Sequence, residues 1–313
     1  MNNMRIIFMG TPKFAVKTLD AILNSKHEIV GVVTSTDKPA GRGRKIQQSD
    51  VKQYAIKNNI RLFQPEKLKN EKFIDQLKAL NPDLFIVVAF RMLPKIVWEI
   101  PKKGTINLHG SVLPNYRGAA PINWAIINGE KESGVTTFFI NDKIDTGDVL
   151  LIEKTEIKDG QTAGELHDKL MEIGSKLIIR TISEIESGTL KSKKQIISES
   201  QKTAPKLNRN NTRINWLKDD LTIKQFILGL NPYPGAWTLL SNNGRELNFK
   251  IFNVKTSNLK VPKKTILLKE NKLYVGTKTN ALELLEIQLE GKKKMHANDF
   301  IKGNKNIDQS ILL

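Results

Sequence analysis

The chain opens with a strand, a tight turn and a helix, and this combination restricts the fold more than any other local feature. Residues 5–10 form a short apolar run that ends in glycine, and the apolar residues of the stretch 14–23 recur at helical spacing. Residues 28–34 are rich in β-branched side chains, and residues 82–90 form an apolar run typical of a strand buried on both faces. Because such strands alternate with helices, the sequence predicts an α/β architecture with a Rossmann-like, doubly wound and mostly parallel sheet.

The turn after the first strand argues against one common ligand of such sheets. It reads Gly-Thr-Pro-Lys-Phe from Gly10 onward and lacks the G-x-G-x-x-G pattern that lets a backbone approach a pyrophosphate closely. We therefore expect no dinucleotide cofactor at this turn.

The length and the second half of the sequence indicate two domains. A chain of 313 residues exceeds the size of about 250 residues at which single cores stop growing. Toward the C-terminus, short alternating apolar runs follow one another closely, which predicts a small β-barrel. The polar, lysine-rich stretch before them has no helical period and is typical of an extended linker. We expect a catalytic domain over residues 1–188, a basic linker over 189–207 and a barrel domain over 208–313.

Composition narrows the class of partner and of chemistry. A net charge of +18 and a pI near 9.8 favour a polyanionic partner, although a general bias toward lysine would produce the same charge. The chain has no cysteine and only 4 histidines, without an H-E-x-x-H pattern, so we expect no disulfide, no cysteine nucleophile and no metal. We find neither a signal peptide nor an apolar run that could cross a bilayer, which predicts a cytoplasmic protein. Nothing in the sequence requires more than a monomer.

The most informative stretch lies between residues 106 and 150. Asn107 and His109 are two apart in a short alternating run, so their side chains project to the same side of a strand. Pro114 and Gly118 interrupt regular structure just beyond them, and Asp145 follows in a loop between two further predicted strands. An amide and an imidazolium both donate hydrogen bonds to a developing oxyanion, and a carboxylate orients an imidazole and favours its charged form.

Residues 107–121 read Asn-x-His-Gly-Ser-x-Leu-Pro-x-x-Arg-Gly-Ala-x-Pro, and Asp-Thr-Gly-Asp follows at residues 145–148. Together these motifs resemble the signature of the folate-dependent formyltransferases. The N-terminal Phe-Met-Gly-Thr-Pro, and the loop Asp-Lys-Pro-Ala-Gly-Arg-Gly-Arg that begins at Asp37, are similar to the branch of that family whose acceptor is methionyl-tRNA. Two positions depart from the family pattern: Val112, where the motif usually has leucine, and Leu228, where arginine is expected.

The resemblance implies transfer of a formyl group from 10-formyltetrahydrofolate to the α-amino group of methionine on initiator tRNA. It also implies that the barrel domain is OB-like and binds tRNA. An α-amino group titrates near pH ~8, so an appreciable fraction is nucleophilic at neutral pH and can attack the formyl carbon directly. Asn107 and His109 would then stabilise the oxyanion, and Asp145 would support His109. Alanine at any of these three positions should abolish turnover and leave tRNA affinity nearly intact.

Two sets of binding residues accompany these expectations. A segment at the carboxyl end of the strand 82–90 and the loop after His109 should carry the folate, since ligands of open α/β sheets bind beyond the carboxyl ends of the strands. The cationic, glycine-rich loop after Asp37 is expected to be exposed and mobile and to contact tRNA phosphates. The predicted folate residues are Phe90, Met92, Leu93, Ser111, Val112, Leu113 and Pro114, and the predicted tRNA residues are Gly41, Arg42, Gly43, Arg44, Lys45 and Lys206.

Three other functions fit parts of the sequence. A formyltransferase could act on a small amine, such as a glycinamide ribonucleotide or an amino-sugar nucleotide, but the basic loop, the basic linker and the added barrel are unnecessary for a small acceptor. A formyl-folate hydrolase would use water as the acceptor, and we see no regulatory module ahead of the first strand. A non-enzymatic RNA-binding protein would have no particular need for Asn107, His109 and Asp145.

Overall fold

A computed structural model describes residues 3–40, 45–196, 198, 200–242 and 245–313. The chain divides into two compact units. The first comprises Met1–Gly118, Ser133–Thr155 and His167–Thr203, and the second comprises Ala119–Glu132, Glu156–Leu166 and Ala204–Leu313. Two short parts of the predicted catalytic region therefore group with the second unit. The expected boundaries at residues 188 and 207 stay predictions about independently folding domains.

Up to residue 203 the chain contains ten strands and six helices among the described residues, and the longer strands include those that the apolar pattern predicts. The strands are β1 Arg5–Gly10, β2 Glu28–Val33, β3 Lys38–Ala40, β4 Lys45–Gln47, β5 Leu62–Phe63, β6 Leu84–Val88, β7 Thr105–His109, β8 Arg117–Gly118, β9 Glu132–Phe139 and β10 Val149–Glu156. The helices are α1 Lys13–Leu23, α2 Asp50–Lys57, α3 Glu71–Ala79, α4 Lys95–Trp98, α5 Pro121–Ile127 and α6 Ala163–Ser187.

The main sheet of the first unit has the strand order β10-β9-β7-β6-β1-β2-β5. β1 pairs in parallel with β2 and β6, β5 pairs in parallel with β2, and β7 pairs in parallel with β6. β9 pairs antiparallel to β7, so the sheet is mixed on that side. The chain builds outward from β1 through β2 and then continues on the other side through β6. The sheet therefore has the reversal of strand order at which ligands of doubly wound folds bind.

Burial explains the unbroken apolar sequence of β6. All 5 of its residues are buried, because a strand covered on both faces has no solvent-facing position. Phe85 of β6 shares one apolar cluster with Phe63 of β5 and with Phe73 and Leu77 of α3. Burial of each side chain of this size contributes about 1.5–3 kcal/mol, so these contacts are the main attachment of α3 to the sheet.

The pattern Thr-x-x-Glu at residues 162–165 predicts a capping box at the start of a long helix that ends near residue 187, and α6 begins as predicted. Thr162 Oγ1 accepts the backbone N–H of Glu165 at 3.2 Å, and Glu165 Oε2 accepts the backbone N–H of Thr162 at 2.8 Å. This reciprocal pair is a capping box, which gives partners to N–H groups that the start of a helix leaves unpaired. The predicted end near residue 187 is confirmed, since α6 extends to Ser187.

The flanks of the cationic loop are more regular than the sequence predicts. β3 and β4 pair as an antiparallel ribbon, so the two ends of the predicted loop are short strands. At the base of the ribbon, Asp37 accepts hydrogen bonds from Lys52 Nζ at 2.6 Å and Gln64 Nε2 at 2.9 Å. These hydrogen bonds hold the pKa of Asp37 below its ordinary value. Each of these strands has only three residues, which is too short for an alternating apolar pattern to appear in the sequence. Gly41, Arg42, Gly43 and Arg44 lie outside the described residues.

The predicted linker also has partners in the first unit. Lys193 and Val149 exchange two backbone hydrogen bonds of 2.8 Å each. The carbonyl oxygen of Lys202 accepts the backbone N–H of Tyr116 at 2.6 Å. The described parts of this stretch are therefore attached to the sheet unit through backbone hydrogen bonds. Its role as an extended linker between two domains stays a prediction. Pairing through the backbone alone is invisible in a polar sequence.

The second unit contains a curled antiparallel sheet. Six strands follow one another across this sheet, and a seventh pairs with one of them at the side. Thr265 at one edge of the sheet pairs antiparallel with Ile311 at the other edge, as in a closing barrel. A short strand, β11 Thr203–Ala204, lies at the boundary between the units in the sequence. The elements of the second unit, besides α5, are α7 Asp220–Gly229, β12 Ala236–Asn242, β13 Arg245–Thr256, β14 Ile266–Lys269, β15 Lys272–Gly276, β16 Ala281–Leu289, β17 Met295–His296, α8 Ala297–Gly303 and β18 Ile311–Leu312, with short 3-10 turns at Asn210–Thr212 and Lys305–Ile307. The sheet order is β14-β15-β16-β13-β12-β18, and β17 pairs with β16.

The predicted fold class is confirmed in both units. The N-terminal sheet is Rossmann-like and mostly parallel, and the C-terminal sheet is a small antiparallel half-barrel. The barrel interior is filled by one apolar cluster that includes Trp216, Phe249 and Ile251. The sequence did not predict the helix α7. Its apolar residues do not form a single stripe along one helical face, so the helical period is hard to see.

Candidate active site

The carboxyl ends of three parallel strands lie in register at one edge of the first sheet. Gly10 at the end of β1 is opposite Val88 at the end of β6, and Val88 is opposite Leu108 of β7. His109 ends β7, and the segment that begins with Phe90 follows β6 closely. The predicted catalytic strand and the predicted folate segment therefore leave the sheet at the edge where doubly wound folds bind ligands.

His109 is buried at this edge, with 7% of its surface exposed. Its Nε2 atom lies 2.8 Å from the carbonyl oxygen of Tyr116. A carbonyl oxygen can only accept a hydrogen bond, so Nε2 carries a proton and donates it. The other ring nitrogen, Nδ1, lies 3.8 Å from Asp145 Oδ2, which is beyond hydrogen-bond distance but close for two opposite charges. Nδ1 is therefore the ring nitrogen that faces the carboxylate of Asp145.

Asp145 is fixed by its backbone as well as by its side chain. Its Oδ2 atom accepts the N–H of Gly118 at 2.9 Å, and its φ of 52° places it in the left-handed region, which aspartate tolerates better than most residues. Burial lowers the pKa of the neighbouring Arg117 guanidinium, and the negative charge of Asp145 opposes that shift. The carboxylate thus faces His109 and a cation in a half-buried setting.

The loop before Asp145 is a compact turn. Asn141 Oδ1 accepts the backbone N–H of Lys143 at 3.0 Å and the hydroxyl of Thr146 at 2.9 Å. Gly147 has no room for a side chain, because a Cβ atom there would lie 1.6 Å from the carbonyl oxygen of Phe139. The glycine of the Asp-Thr-Gly motif is therefore required by a close approach of two backbones.

Asn107 presents an unsatisfied polar atom to the same edge. Its Oδ1 atom is buried, and among the described residues it has no hydrogen-bond partner. Leaving a buried acceptor unpaired costs about 1–3 kcal/mol, so such an atom calls for an explanation. A ligand that brings an N–H group to this edge would supply the missing donor. The residues present are thus compatible with a bound amine or folate.

The loop after His109 is held by the neighbouring strand β9. Thr136 Oγ1 donates to the carbonyl oxygen of Ser111 at 2.6 Å and accepts the N–H of Leu113 at 3.1 Å. The side chains of Ser111 and Leu113 are buried, whereas those of Val112 and Pro114 are partly exposed, and the peptide bond between Leu113 and Pro114 is cis. Of the four predicted folate residues in this loop, only Val112 and Pro114 offer side-chain surface.

The predicted folate residues that follow β6 also differ in how far their side chains are exposed. Leu93 belongs to the apolar core and Phe90 packs partly against that core, while the side chain of Met92 is 67% exposed. Arg91, which the sequence did not single out, donates hydrogen bonds to the carbonyl oxygens of Pro65 and Glu66 and lies over the ring of Phe90 with its Cζ atom 5.6 Å from the centroid. Burial lowers the pKa of Arg91. The prediction of an apolar folate pocket here stays untested for Phe90 and Met92, and Leu93 is a core residue.

Of the predicted tRNA residues, the structure describes the side chain of Lys206 alone. The side chain of Lys45 and all of residues 41–44 lie outside the described part of the chain. Lys206, in the second unit, is exposed. Leu228, which replaces the arginine that the family pattern predicts, is 2% exposed and lies inside the second unit, so its side chain has no surface to offer to RNA.

A separate cavity of about 750 Å³ opens in the first unit. Its lining includes Phe63, Phe73 and Lys72, and it contains none of the predicted site residues. Within the described residues no group of three or more histidine, cysteine, aspartate or glutamate side chains could hold a metal ion. In that same part of the chain, each helix is too short or too polar to cross a bilayer.

Comparison with known proteins identifies the family. The profile of the Formyl transferase family matches residues 4–182, and that of the Formyl transferase C-terminal domain matches residues 206–305. The methionyl-tRNA formyltransferase of Flavobacterium johnsoniae is 50% identical over 307 residues, which cover 97% of each chain. That of Bacteroides fragilis is 44% identical over 312 residues, which cover 96% of this chain and 95% of the relative.

Solved structures of related fold agree with this assignment. HypX from Aquifex aeolicus, solved in complex with tetrahydrofolic acid, has a TM-score of 0.66 at 19% identity; the match covers 98% of this chain and about half, 49%, of HypX. An N-formyltransferase from Helicobacter canadensis has a TM-score of 0.64 at 23% identity, with 93% of this chain and 100% of that chain covered. At these identities the two structures support the fold alone. Since both family profiles match and the relatives align over nearly the whole length, the chain belongs to the methionyl-tRNA formyltransferase family of formyl transferases.

Proposed function

We propose that the protein transfers the formyl group of 10-formyltetrahydrofolate to the α-amino group of methionine on initiator tRNA, giving N-formylmethionyl-tRNA for translation initiation. The observation that carries the proposal is the arrangement of Asn107, His109 and Asp145 at the carboxyl edge of the sheet, in a chain 50% identical to a methionyl-tRNA formyltransferase. One copy of the chain carries all three residues, which is consistent with a monomer. The reaction belongs in the cytoplasm, where aminoacylated tRNA is used.

His109 acts through Nδ1 in this scheme. Its Nε2 proton is held by the carbonyl oxygen of Tyr116, so only Nδ1 is available to interact with the reacting groups. The carboxylate of Asp145 lies 3.8 Å from this nitrogen and orients the ring. With a proton on Nδ1, His109 donates a hydrogen bond to the oxyanion that develops as the amine attacks. After Nδ1 passes that proton to the departing nitrogen of the folate, it can take the proton that the amine loses, so the protons balance over the reaction. This differs from the sequence-based expectation in one respect, namely that a single ring nitrogen serves both purposes.

Asn107 contributes a donor and an acceptor from one amide. The unpartnered Oδ1 can accept an N–H of the attacking α-amino group, while the Nδ2 group can donate to the formyl oxygen. Such a bridge orients the nitrogen lone pair toward the carbonyl carbon. No covalent intermediate with the protein is required, because the free amine is itself a sufficient nucleophile.

Folate binding rests on the two loops that flank these residues. When bound, 10-formyltetrahydrofolate supplies the activated formyl group. We propose Phe90 and Met92, together with Val112 and Pro114, as the side chains that contact it, because their surfaces are at least partly exposed at the ligand-binding edge. The buried Ser111, Leu113 and Leu93 would act through the backbone or through the shape of their loops.

Binding of tRNA is proposed to depend on phosphate contacts made by the basic surface. The loop with Gly41, Arg42, Gly43, Arg44 and Lys45 and the exposed Lys206 are the residues proposed from the family resemblance. Arg209 and Arg213 add cationic surface in the second unit; their Cζ atoms lie 3.9 Å and 5.4 Å from the ring centroid of Trp237. If phosphate contacts dominate, log affinity falls linearly with log salt concentration. An affinity that does not change with salt would contradict this part of the proposal.

The experiment that tests the function is transfer of a labelled formyl group from 10-formyltetrahydrofolate to three acceptors offered in parallel: methionyl-initiator tRNA, methionyl-elongator tRNA and free methionine. We expect label on the initiator species alone. Free formate without a labelled acceptor would instead support the hydrolase, and label on a small amine such as glycinamide ribonucleotide would support the small-acceptor alternative. If the protein binds tRNA and leaves the folate unchanged, the result would support the non-enzymatic RNA-binding alternative.

A further inference from the structure

One side chain of the predicted linker makes four hydrogen bonds to the candidate active site. Gln195 Nε2 donates to the carbonyl oxygens of Asp145 at 3.0 Å and Gly147 at 2.7 Å. Gln195 Oε1 accepts from Arg117 Nε at 3.2 Å and Nη2 at 2.6 Å. A glutamine amide has two donor hydrogens and two acceptor lone pairs, so its hydrogen-bonding capacity is fully used. All of these residues belong to the first unit.

The four hydrogen bonds join the two loops that hold His109. On one side Gln195 binds the backbone of Asp145, the carboxylate that faces His109 Nδ1. On the other side it binds Arg117, which is next in sequence to Tyr116, whose carbonyl oxygen accepts the His109 Nε2 proton. The partners of both imidazole nitrogens are thereby tied to one amide.

The backbone around Gln195 is itself anchored. Two residues earlier, Lys193 exchanges two hydrogen bonds of 2.8 Å with Val149 at the start of β10. The short segment from Lys193 to Gln195 is therefore fixed to the sheet. Its side chain can hold the loops in place because its own position is set independently of them.

We infer that Gln195 is a positioning residue for formyl transfer: it fixes Asp145 and the Tyr116–Arg117 backbone around the imidazole of His109 without touching the substrate. The inference rests on the proposed function, since it concerns the same reaction. Displacement of a catalytic group by about 1 Å costs up to about 100-fold in rate, so loss of these hydrogen bonds lowers kcat. Because Gln195 makes no contact with substrate in this account, its loss leaves KM unchanged.

Two substitutions separate this role from a general effect on folding. Gln195→Glu keeps an acceptor for Arg117 but removes both donors to the loop of Asp145. Gln195→Met keeps the length of the side chain and removes all four hydrogen bonds. Gln201→Glu is the matched control, because it makes the same charge change nearby on a residue whose amide donates to the carbonyl oxygen of Ile196. The melting temperature of each variant reports whether it is folded.

The measurement is kcat and KM for methionyl-initiator tRNA and for 10-formyltetrahydrofolate in the full-length protein. We expect kcat to fall about 10-fold to 100-fold in both Gln195 variants, with both KM values within about twofold of wild type and Gln201→Glu unchanged. A folded Gln195→Glu variant with wild-type kcat would overturn the inference and leave the proposed function standing. A rise in KM at constant kcat would also overturn it, because Gln195 would then act in substrate binding. Absence of formyl transfer by the wild-type protein would instead contradict the proposed function itself.

Discussion

The carboxyl edge of the first sheet and the interior of the second unit differ in whether their buried polar atoms have hydrogen-bond partners. In the barrel interior, Trp216 Nε1 donates to Thr238 Oγ1 at 3.2 Å, and Thr238 in turn donates to the carbonyl oxygen of Leu313 at 2.8 Å. At the carboxyl edge, Asn107 Oδ1 is buried with no partner among the described residues. The buried polar groups of the interior are thus paired with one another, whereas the edge keeps an unpaired acceptor that a bound ligand could complete.

Positive φ values have a different setting in the two units. In the second unit, Glu270 and Asn271 have positive φ values, and they are the two residues of the hairpin turn between β14 and β15, where such values are required. In the first unit, Tyr116 and Asp145 have φ values of 61° and 52° in loops that bracket His109. Such values also occur away from the site, at Asn59, Asn81, Lys264 and Gln309, so they do not mark the site by themselves.

Gly147→Ala should cause the largest loss of activity among these variants, because it displaces a loop at the carboxyl edge of the first sheet. A Cβ atom at this position would lie 1.6 Å from the carbonyl oxygen of Phe139, so the loop that carries Asp145 has to move. We expect a loss of about 100-fold or more in kcat, as for displacement of other catalytic groups. Gly303→Ala is the control in the second unit, because no atom lies within 4 Å of a Cβ built there. Steady-state kinetics on the two variants tests this, and equal activities would show that the loop position is unimportant.

Trp216→Ala should disrupt the barrel interior. Trp216 is 1% exposed and lies in the main apolar cluster of the second unit, so its removal leaves a large cavity. Substitutions of this kind cost about 3–5 kcal/mol. Leu217→Ala, at an adjacent residue that is 53% exposed, should cost no more than about 0.5 kcal/mol. Urea unfolding followed by circular dichroism measures both, and similar losses for the two variants would argue against the apolar core described for this unit.

Each unit also has a helix whose first turn is capped by a side chain, and loss of either cap should have a smaller effect. Asp219 Oδ1 caps α7 in the second unit by accepting the N–H of Thr222 at 2.8 Å, and Asn70 Oδ1 caps α3 in the first by accepting the N–H of Phe73 at 3.1 Å. Each alanine variant should lose about 1 kcal/mol of unfolding free energy at neutral pH.

The two caps should differ in their pH dependence. The backbone hydrogen bond from Thr222 is the main cause that holds the pKa of Asp219 below its ordinary value. A carboxylate whose folded pKa is lowered contributes its full stability above the unfolded value near ~3.9 and loses it as pH falls through the folded value. The cost of Asp219→Ala should therefore shrink in acid, while that of Asn70→Ala stays constant. Thermal unfolding over a pH series decides this, and an acid-insensitive Asp219 difference would refute the charged cap.

Local signals made much of the fold predictable. β1, β6 and β7 follow from apolar runs and alternation, and the start of α6 follows from Thr162 and Glu165, because each of these patterns is contained within a few residues. The sequence did not predict the ribbon of β3 and β4, because strands that pair only through their backbones need no alternation of apolar and polar side chains.

The candidate site was predictable to the extent that its residues are close in sequence. Asn107 and His109 share one short strand, so their common direction follows from the period of a strand. The roles of Asp145 and of the folate and tRNA residues came from the family resemblance and stay predictions. Gln195 was missed because its partners are 48, 50 and 78 positions away, and a single polar residue in a lysine-rich stretch carries no signal of such contacts.

The most direct test of the catalytic assignment is the single-turnover rate of formyl transfer to methionyl-initiator tRNA by wild-type protein and His109→Ala, with tRNA affinity measured on the same samples. His109 is proposed to act on the reacting groups through Nδ1 and not on the tRNA body. We predict a rate lower by about 10²–10⁴ with an affinity within about twofold of wild type. A His109→Ala variant that transfers formyl groups at the wild-type rate would contradict the account.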